Sequence, residues 1–144
     1  MEPFLCSRDQ FQPNHIKTKL YKTGCQVCLH IASPYTLTVK NPQLELVDPA
    51  VKGTLSVLKS ASLAQVKIVI LTSSIAAITD APKKGYLFTE EDWNSTSSLR
   101  RNPYMFSKVC AEKAAWDYHK SLEGNSKFEL ISLLPGFVLG EFEI

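Results

Sequence analysis

Two short segments of the chain carry side chains that could together protonate a carbonyl group. Tyr104 and Lys108 are four residues apart in a helical pattern, which places them on one face of the helix. An ammonium beside a phenol stabilises the phenolate, so we expect Lys108 to lower the tyrosine pKa from its usual value of about 10. Nearer the amino terminus, Thr72-Ser73-Ser74 ends an apolar run, and a hydroxyl at the end of a strand can polarise a carbonyl. The spacing alone is equally compatible with a surface tyrosine stacked on a lysine stem.

Apolar runs and helix-start signals predict the elements that must position these groups. The pairs Asp48-Pro49 and Asn102-Pro103 predict two helix starts, since a capping side chain is followed by proline at the first helical position. The predicted strands are Val27 to Ala32, Lys67 to Thr72 and Phe128 to Leu134, and their apolar runs indicate strands that are buried in a parallel sheet. Strands that alternate with helices indicate the α/β class, with a parallel sheet and right-handed crossovers.

The predicted sheet brings several small polar segments to one edge. Ligands of open parallel sheets bind beyond the carboxyl ends of the strands. Ser33, Ser74 and Pro135-Gly136 all follow the predicted strands directly, so we expect them at this edge. The connection from Ile75 to Arg101 is long, and such loops in compact domains are usually functional or disordered.

Composition and charge favour a soluble domain and exclude several other classes. The chain has 144 residues, of which 44% are hydrophobic and 21% charged, enough to build one core. A net charge of +2 with scattered Lys and Arg is no footprint for nucleic acid or an anionic membrane. Met1 to Gln10 lacks the apolar centre of a signal peptide. We therefore expect a cytoplasmic protein whose partner is a small molecule, with no nucleic acid and no membrane.

The cysteines and histidines do not form a convincing metal site. Cys25 and Cys28 are spaced like a zinc pair and His30 follows, but a second cysteine pair is missing from the sequence. Cys28 lies within an apolar run, where cysteine behaves as a small hydrophobic residue. His15, His30 and His119 have no partner pattern, so no metal and no histidine role are predicted.

The motifs of the chain, taken in order, resemble those of a known superfamily. The chain is similar to the extended short-chain dehydrogenases/reductases of the NAD-dependent epimerase/dehydratase type, and within them to the branch of dihydroflavonol reductases, cinnamoyl-CoA reductases and yeast-type carbonyl reductases. The resemblance covers roughly Gly24 to Gly140. The segments that carry it are His30 to Pro34, Asp48 to Thr54, Ile70 to Ser74, Tyr104 to Lys108, Ala111 to Trp116 and Leu134 to Gly140.

The resemblance implies an NAD(P)H-dependent oxidoreductase that reduces an aldehyde, ketone or related carbonyl group. Tyr104 would be the general acid, Lys108 would lower its pKa and bind the nicotinamide ribose, and Ser74 would hold the substrate carbonyl. Ser73 is the alternative to Ser74, because adjacent side chains at a strand end can exchange roles. The implied cofactor is NADP or NAD, and the implied cofactor-binding residues are Ala32, Ser33, Pro34, Thr72, Ser73, Tyr104, Lys108, Pro135, Gly136 and Val138.

One expected feature of a dinucleotide-binding fold is missing from the sequence. None of the six glycines forms the Gly-rich turn that holds a pyrophosphate at a helix N-terminus. The interpretation is a partial Rossmann-type, doubly wound parallel sheet that lacks its first half and its carboxyl-terminal substrate region. Residues 1–24 are unassigned, and residues 25–144 form the second half of a reductase domain. We then expect weak NADP binding and an exposed apolar edge at Val27 to Ala32. The alternative function is a non-catalytic truncated paralogue or fragment that cannot hold the cofactor.

Overall fold

A parallel β-sheet forms the centre of the computed structural model, which describes residues 4–5, 24–36, 38–81 and 83–140. The strand order follows the chain, and each strand is parallel to its neighbours. The α/β class and the parallel sheet predicted from the sequence are therefore confirmed. The strands are β1 (Phe4–Leu5), β2 (Val27–His30), β3 (Ile68–Thr72) and β4 (Glu129–Leu133), and the long helices are α1 (Asp48–Leu63), between β2 and β3, and α2 (Pro103–Lys120), between β3 and β4.

The three predicted strands are present and differ from the prediction only at their ends. Ser73 and Leu133 link the last two strands beyond their ladders, because the Ser73 amide donates to the Leu133 carbonyl at 2.8 Å. The expectation that the first predicted strand is a bare edge was wrong for part of its length. Phe4 and Leu5 pair with Cys28 and Leu29, which supplies ladder partners that the sequence did not reveal.

The first long helix begins earlier than predicted. Asp48 lies inside helical backbone, and a π-helical turn from Gln43 to Val47 precedes it. The start is set by Asn41, whose side-chain oxygen accepts from the Leu44 amide at 3.2 Å. The wider π-helical turn has a physical reason, since Pro49 would press its ring against the carbonyl four residues earlier in a regular helix. Asp48-Pro49 therefore marks the passage from the π-helical turn into α1, and the predicted capping role of Asp48 is wrong because Asp48 itself is helical.

Both long helices cover the same face of the sheet. They pack against each other, and α1 and α2 both contribute to one hydrophobic core. Right-handed crossovers place successive connections on one face when the strand order follows the chain. The core cluster consists of Cys25, Cys28, Val57, Leu58, Ala61, Val66, Val69, Leu71, Ala115, Phe128 and Leu130.

The opposite face of the sheet is only partly covered by the described residues. Alternate side chains along β2 and β3 are half-buried, and on β4 Ile131 and Leu133 are 37% and 49% exposed. We expected all three strands to be buried on both faces, as in a complete parallel sheet. That expectation was wrong within the described part of the chain, because both crossover helices lie on the other face.

The long connection between β3 and α2 is organised by buried polar side chains. Asp80, whose side chain is only 2% exposed, accepts hydrogen bonds from Thr96, from Ser97 at 3.2 Å and from the Asn102 amide at 3.0 Å. The Arg101 guanidinium lies 3.4 Å from the same carboxylate. These contacts gather the end of the connection around one residue immediately before α2 begins. The loop therefore fixes the position from which Tyr104 projects.

Asn94 ties the same connection to the short 3₁₀ helix Ile75–Ala77. Its side-chain amide donates to the Ala76 carbonyl at 2.9 Å and to Ser97 at 2.9 Å, while its backbone amide donates to the Ala77 carbonyl at 2.8 Å. The residue is 5% exposed. This asparagine heads an Asn-Ser-Thr glycosylation sequon, but in the fold its amide nitrogen is engaged and buried.

Candidate active site

Tyr104 and Lys108 lie in the first turns of α2. The helix begins as predicted with Pro103 at its first position, and Asn102 before it has the left-handed conformation, with φ 53° and ψ 57°. The Lys108 ammonium lies 5.7 Å from the centroid of the Tyr104 ring. On its other side the Tyr104 ring meets Tyr35 edge to face, with centroids 5.2 Å apart. The predicted i, i+4 face is therefore formed, with Tyr35 as an additional neighbour.

The tyrosine pKa moves in the opposite direction to the expected one. Burial raises the pKa of Tyr104, and Tyr35 adds to this effect. Burial also lowers the pKa of Lys108, which Glu112 partly opposes. The expected lowering of the tyrosine pKa is therefore wrong for the chain as described, because desolvation of the phenolate outweighs the attraction of an ammonium at this distance. Tyr104 remains a phenol, which is the form that can donate a proton.

A shallow cleft opens beside Lys108, at the carboxyl edge of the sheet. It collects some of the predicted cofactor-binding residues, namely Ala32, Ser33, Thr72, Ser73 and Lys108. These residues therefore meet at the carboxyl edge of the sheet, where the sequence predicts a ligand site. The other residues around the cleft are His30, Thr54, Leu71, Ala111 and Glu112.

The Lys108 ammonium has the features of a binding group. The residue is only 7% exposed, and within the described ranges its ammonium makes no hydrogen bond and no ion pair. A lysine in so buried a position is stabilised when a ligand supplies hydrogen-bond acceptors to its ammonium. The part of the chain around the cleft therefore fits a ligand that carries hydroxyl or carbonyl oxygens.

The two serines after β3 have different environments. The Ser73 side chain is buried and donates to the Glu112 carboxylate at 2.5 Å, and it lines the cleft. The Ser74 hydroxyl accepts from the Ala76 amide at 3.2 Å and so caps the short 3₁₀ helix. That helix packs against α2. The role of Ser74 at a substrate carbonyl stays a prediction, and Ser73 is the serine that shares the cleft with Lys108.

The remaining predicted cofactor residues lie outside this cleft. The Pro135 carbonyl accepts from the Ile75 amide at 3.0 Å, which joins the segment after β4 to the start of the 3₁₀ helix. Gly136 is exposed, and Val138 is 87% exposed. Pro34 is half-buried on the segment that follows β2. Tyr104 does not line the cleft either, and the binding roles of Pro34, Tyr104, Pro135, Gly136 and Val138 stay predictions.

Three polar residues of the cleft were not predicted from the sequence. Glu112 continues the Tyr104 and Lys108 face by one more turn, so its spacing was the available signal. His30 ends β2, is 2% exposed and lies 3.3 Å from the Thr54 hydroxyl. Burial, and then the charge of Lys108, lower the pKa of His30 from 6.5 to about 4. Only the fold reveals the pair, since Thr54 lies on α1, far away along the chain.

The described part of the chain shows neither a metal site nor a membrane-spanning helix. Cys25 and Cys28 belong to the hydrophobic core, and the Cys25 thiol donates to the Val27 carbonyl at 2.7 Å. Across the described ranges, no group of three or more histidine, cysteine or acidic side chains is arranged to hold a metal ion. In that same part of the chain, each helix is too short or too polar to cross a membrane.

A family model and several known proteins match the chain. The model of the 3-beta hydroxysteroid dehydrogenase/isomerase family matches residues 11–143. A cinnamoyl-CoA reductase from Medicago truncatula is 40% identical over 126 residues, which are 81% of this chain and 36% of that protein. An NADPH-dependent methylglyoxal reductase from Saccharomyces cerevisiae is 38% identical, with 80% of this chain and 37% of that protein covered.

Solved structures give the same result. The NADPH complex of Gre2 from Candida albicans has a TM-score of 0.79 and 40% sequence identity, with 88% of this chain and 40% of that chain covered. The yeast methylglyoxal/isovaleraldehyde reductase Gre2, also complexed with NADPH, has a TM-score of 0.80 and 32% identity. The chain spans well under half the length of these relatives.

Proposed function

The chain belongs to the 3-beta hydroxysteroid dehydrogenase/isomerase family, and from this we propose that it carries the catalytic segment of an NAD(P)H-dependent oxidoreductase that reduces a carbonyl group. The substrate would be a small aldehyde, ketone or related compound. Residues 25–144 would form the second half of the reductase domain. Relatives named as NADPH-dependent and cinnamoyl-CoA reductases support the class of reaction.

The observation that carries this proposal is Lys108, a buried lysine at the edge of the sheet. It is 7% exposed, lines the cleft with Ser73 and lies 5.7 Å from the centre of the Tyr104 ring. A ligand hydroxyl would satisfy the ammonium donors that the described residues leave open. In this role Lys108 binds and orients a ribose.

Tyr104 would supply the proton. Its raised pKa keeps the hydroxyl protonated, and negative charge develops on a carbonyl oxygen during its reduction. A ligand bound in the cleft would place its own hydroxyl groups beside Lys108, on the side that faces Tyr104. Ser74, or Ser73 in its place, would donate a hydrogen bond to the same oxygen.

The residues around the cleft fit part of a nicotinamide cofactor. The small side chains Ala32 and Ser33 leave the end of β2 open, and Lys108 supplies unused donors. Bound NADP or NAD would supply the hydride in its reduced form. The cleft residues would hold the ribose portion, because Lys108 is the group among them that can donate to ribose hydroxyls.

A graft into a complete relative tests the proposal. Residues 24–140 would replace the matching segment of the Saccharomyces cerevisiae methylglyoxal reductase, and NADPH oxidation with methylglyoxal would be followed. We expect the graft to reduce the substrate and Tyr104→Phe to lower kcat by about 100-fold or more, the size of a general-acid contribution. Tyr118→Phe, on the same helix but packed against the hydrophobic core, is the matched control.

Two results would contradict the assignment. A graft that binds NADPH and turns over equally well with Tyr104→Phe would remove Tyr104 from the role of acid. A graft that is folded and binds NADPH but reduces no carbonyl would favour the alternative, a non-catalytic paralogue that has kept the motif.

A further inference from the structure

Glu112 connects the end of β3 to α2 through a buried carboxylate. One oxygen accepts from the Ser73 hydroxyl at 2.5 Å, and the other accepts from the Trp116 indole at 3.3 Å. The residue is 5% exposed. Burying a carboxylate costs free energy unless donors or an opposite charge compensate it, and two uncharged donors compensate it only in part.

The opposite charge lies one helical turn earlier. Lys108 and Glu112 are at i and i+4 on α2, and both line the cleft. Their charged atoms are not joined in an ion pair within 4 Å, since the ion pairs of the described residues do not include them. The lysine thus keeps its donors for the cleft, while the carboxylate acts on it through space.

Among the described residues that line the cleft, the other titratable groups do not oppose this influence. His30, from β2, has its pKa lowered to about 4 and is uncharged at neutral pH. Tyr104, on α2, has its pKa raised and is also uncharged. α1 and β3 contribute Thr54 and Ser73, which do not titrate in this range. Glu112 is therefore the one acidic side chain among the described residues that line the cleft.

We propose that Glu112 is a positioning residue of this site, whose carboxylate holds the Ser73 hydroxyl in place and serves as the counter-charge that keeps Lys108 an ammonium. Its catalytic meaning rests on the proposed function, because it acts through Lys108 and Ser73. Without this charge, burial would lower the pKa of Lys108 further, and the ammonium is a stronger donor to a ribose hydroxyl than the uncharged amine.

Titration of Lys108 tests the proposal without any need for turnover. The 144-residue chain would be labelled with ¹³C at its lysine side chains, and the Lys108 signal would be assigned by its loss in Lys108→Arg. Glu112→Gln keeps the shape and an acceptor oxygen but removes the charge. We expect it to shift the Lys108 titration downward by about one unit, the order of effect for the loss of an opposite charge one helical turn away.

The controls separate charge from folding. Glu123→Gln neutralises an exposed glutamate just after α2 and should leave the Lys108 titration unchanged. Ser73→Ala removes the hydrogen bond but leaves the charge, so it should shift the titration much less than Glu112→Gln. Glu112→Asp retains the charge on a shorter side chain and should give an intermediate shift, which decides the matter if the glutamine variant does not fold.

An unchanged Lys108 titration in folded Glu112→Gln, or in folded Glu112→Asp when glutamine is not tolerated, would overturn the proposal. An equal shift in Ser73→Ala would also overturn it, because a general loosening of the cleft would then explain the effect. The reductase assignment is tested separately by the Tyr104→Phe graft, so either proposal can fail while the other stands.

Discussion

At the scale of single residues, the cleft holds two buried basic groups that respond to burial in the same direction. The pKa of His30 and that of Lys108 are both lowered, because taking a cation out of water disfavours the charged form. The lowered pKa of His30, about 4, lies in a pH range that experiments reach easily. His30 therefore reports directly on how deeply the cleft is desolvated.

We predict that folding stability falls on acidification between pH 6.5 and 4 because of His30. The folded pKa of about 4 lies below the unfolded value of 6.5, so the unfolded chain takes up the proton first and the free energy of unfolding rises with pH through this window. The full effect is about 3 kcal/mol at 1.36 kcal/mol per pKa unit. Urea unfolding at several pH values measures it.

A matched pair of variants isolates the histidine. His30→Gln should flatten the slope between pH 4 and 6.5, whereas His119→Gln, at the far end of α2, should leave it in place. The same slope in His30→Gln as in the unmodified chain would show that His30 is not the group responsible.

At the scale of elements, the start of α1 offers a direct comparison of two proline-preceding residues. The Asn41 side chain accepts from the Leu44 amide, and the Glu45 side chain accepts from the Asn41 amide at 2.5 Å, which closes the helix start from both sides. Asp48 instead makes an exposed ion pair with Lys52 at 2.7 Å. The two residues look alike in the sequence but differ in what they stabilise.

We predict that Asn41→Ala lowers the free energy of unfolding by about 1 kcal/mol, the usual cost of losing an N-cap. Asp48→Ala should cost less, about 0.5 kcal/mol, because an exposed i, i+4 pair contributes little. Chemical denaturation of both variants measures the difference. A larger loss of unfolding free energy for Asp48→Ala than for Asn41→Ala would contradict this prediction, because Asp48 would then stabilise the helix start more than Asn41 does.

The polar side chains that contact Asp80 are a second feature at this scale, because they hold the connection between β3 and α2 in place just before α2 begins. Hydrogen bonds, with Thr96 first among them, keep the pKa of Asp80 below its usual value. A carboxyl with a lowered folded pKa stabilises the fold above its unfolded pKa of about 3.9, and this stability is lost as the pH falls further through the folded pKa.

We predict that Asp80→Asn loosens the start of α2 and weakens the acid dependence below about pH 4. Hydrogen exchange should accelerate at the Phe106 amide, which bonds the Asn102 carbonyl at 3.0 Å. Asp92→Asn is the control, because its carboxylate serves a local turn with Tyr86 and Thr89. Equal hydrogen exchange at the Phe106 amide in Asp80→Asn and Asp92→Asn would contradict the prediction, because Asp80 would then stabilise the start of α2 no more than Asp92 does.

At the scale of the whole molecule, the sheet edge with Lys108 and Ser73 is formed, while a Gly-rich phosphate turn is missing from the sequence. We predict that the 144-residue chain binds NADPH far more weakly than a complete reductase, because backbone amides at a helix N-terminus supply much of the affinity for a pyrophosphate. Isothermal titration with NADPH measures this, and the grafted reductase provides the positive control. Low-micromolar binding by the chain alone would show that other residues replace that turn.

Local sequence was enough to predict the strands, the Pro103 start of α2, and the shared face of Tyr104 and Lys108. Each depends on neighbours within a few residues, namely apolar runs, proline geometry and helical spacing. The family resemblance was equally readable, because it rests on motifs in a fixed order. The serine assignment at a substrate carbonyl remains a prediction from those motifs.

Tertiary structure decided the properties that depend on burial and on distant partners. The direction of the Tyr104 pKa follows from desolvation and from Tyr35, neither of which the spacing reveals. The Ser73–Glu112 hydrogen bond joins residues 39 positions apart, and the His30–Thr54 contact joins residues 24 positions apart. Sequence spacing specifies which side chains share a face of one element, but the packing of α2 against the sheet edge determines which of them lose water and which remain available to a ligand.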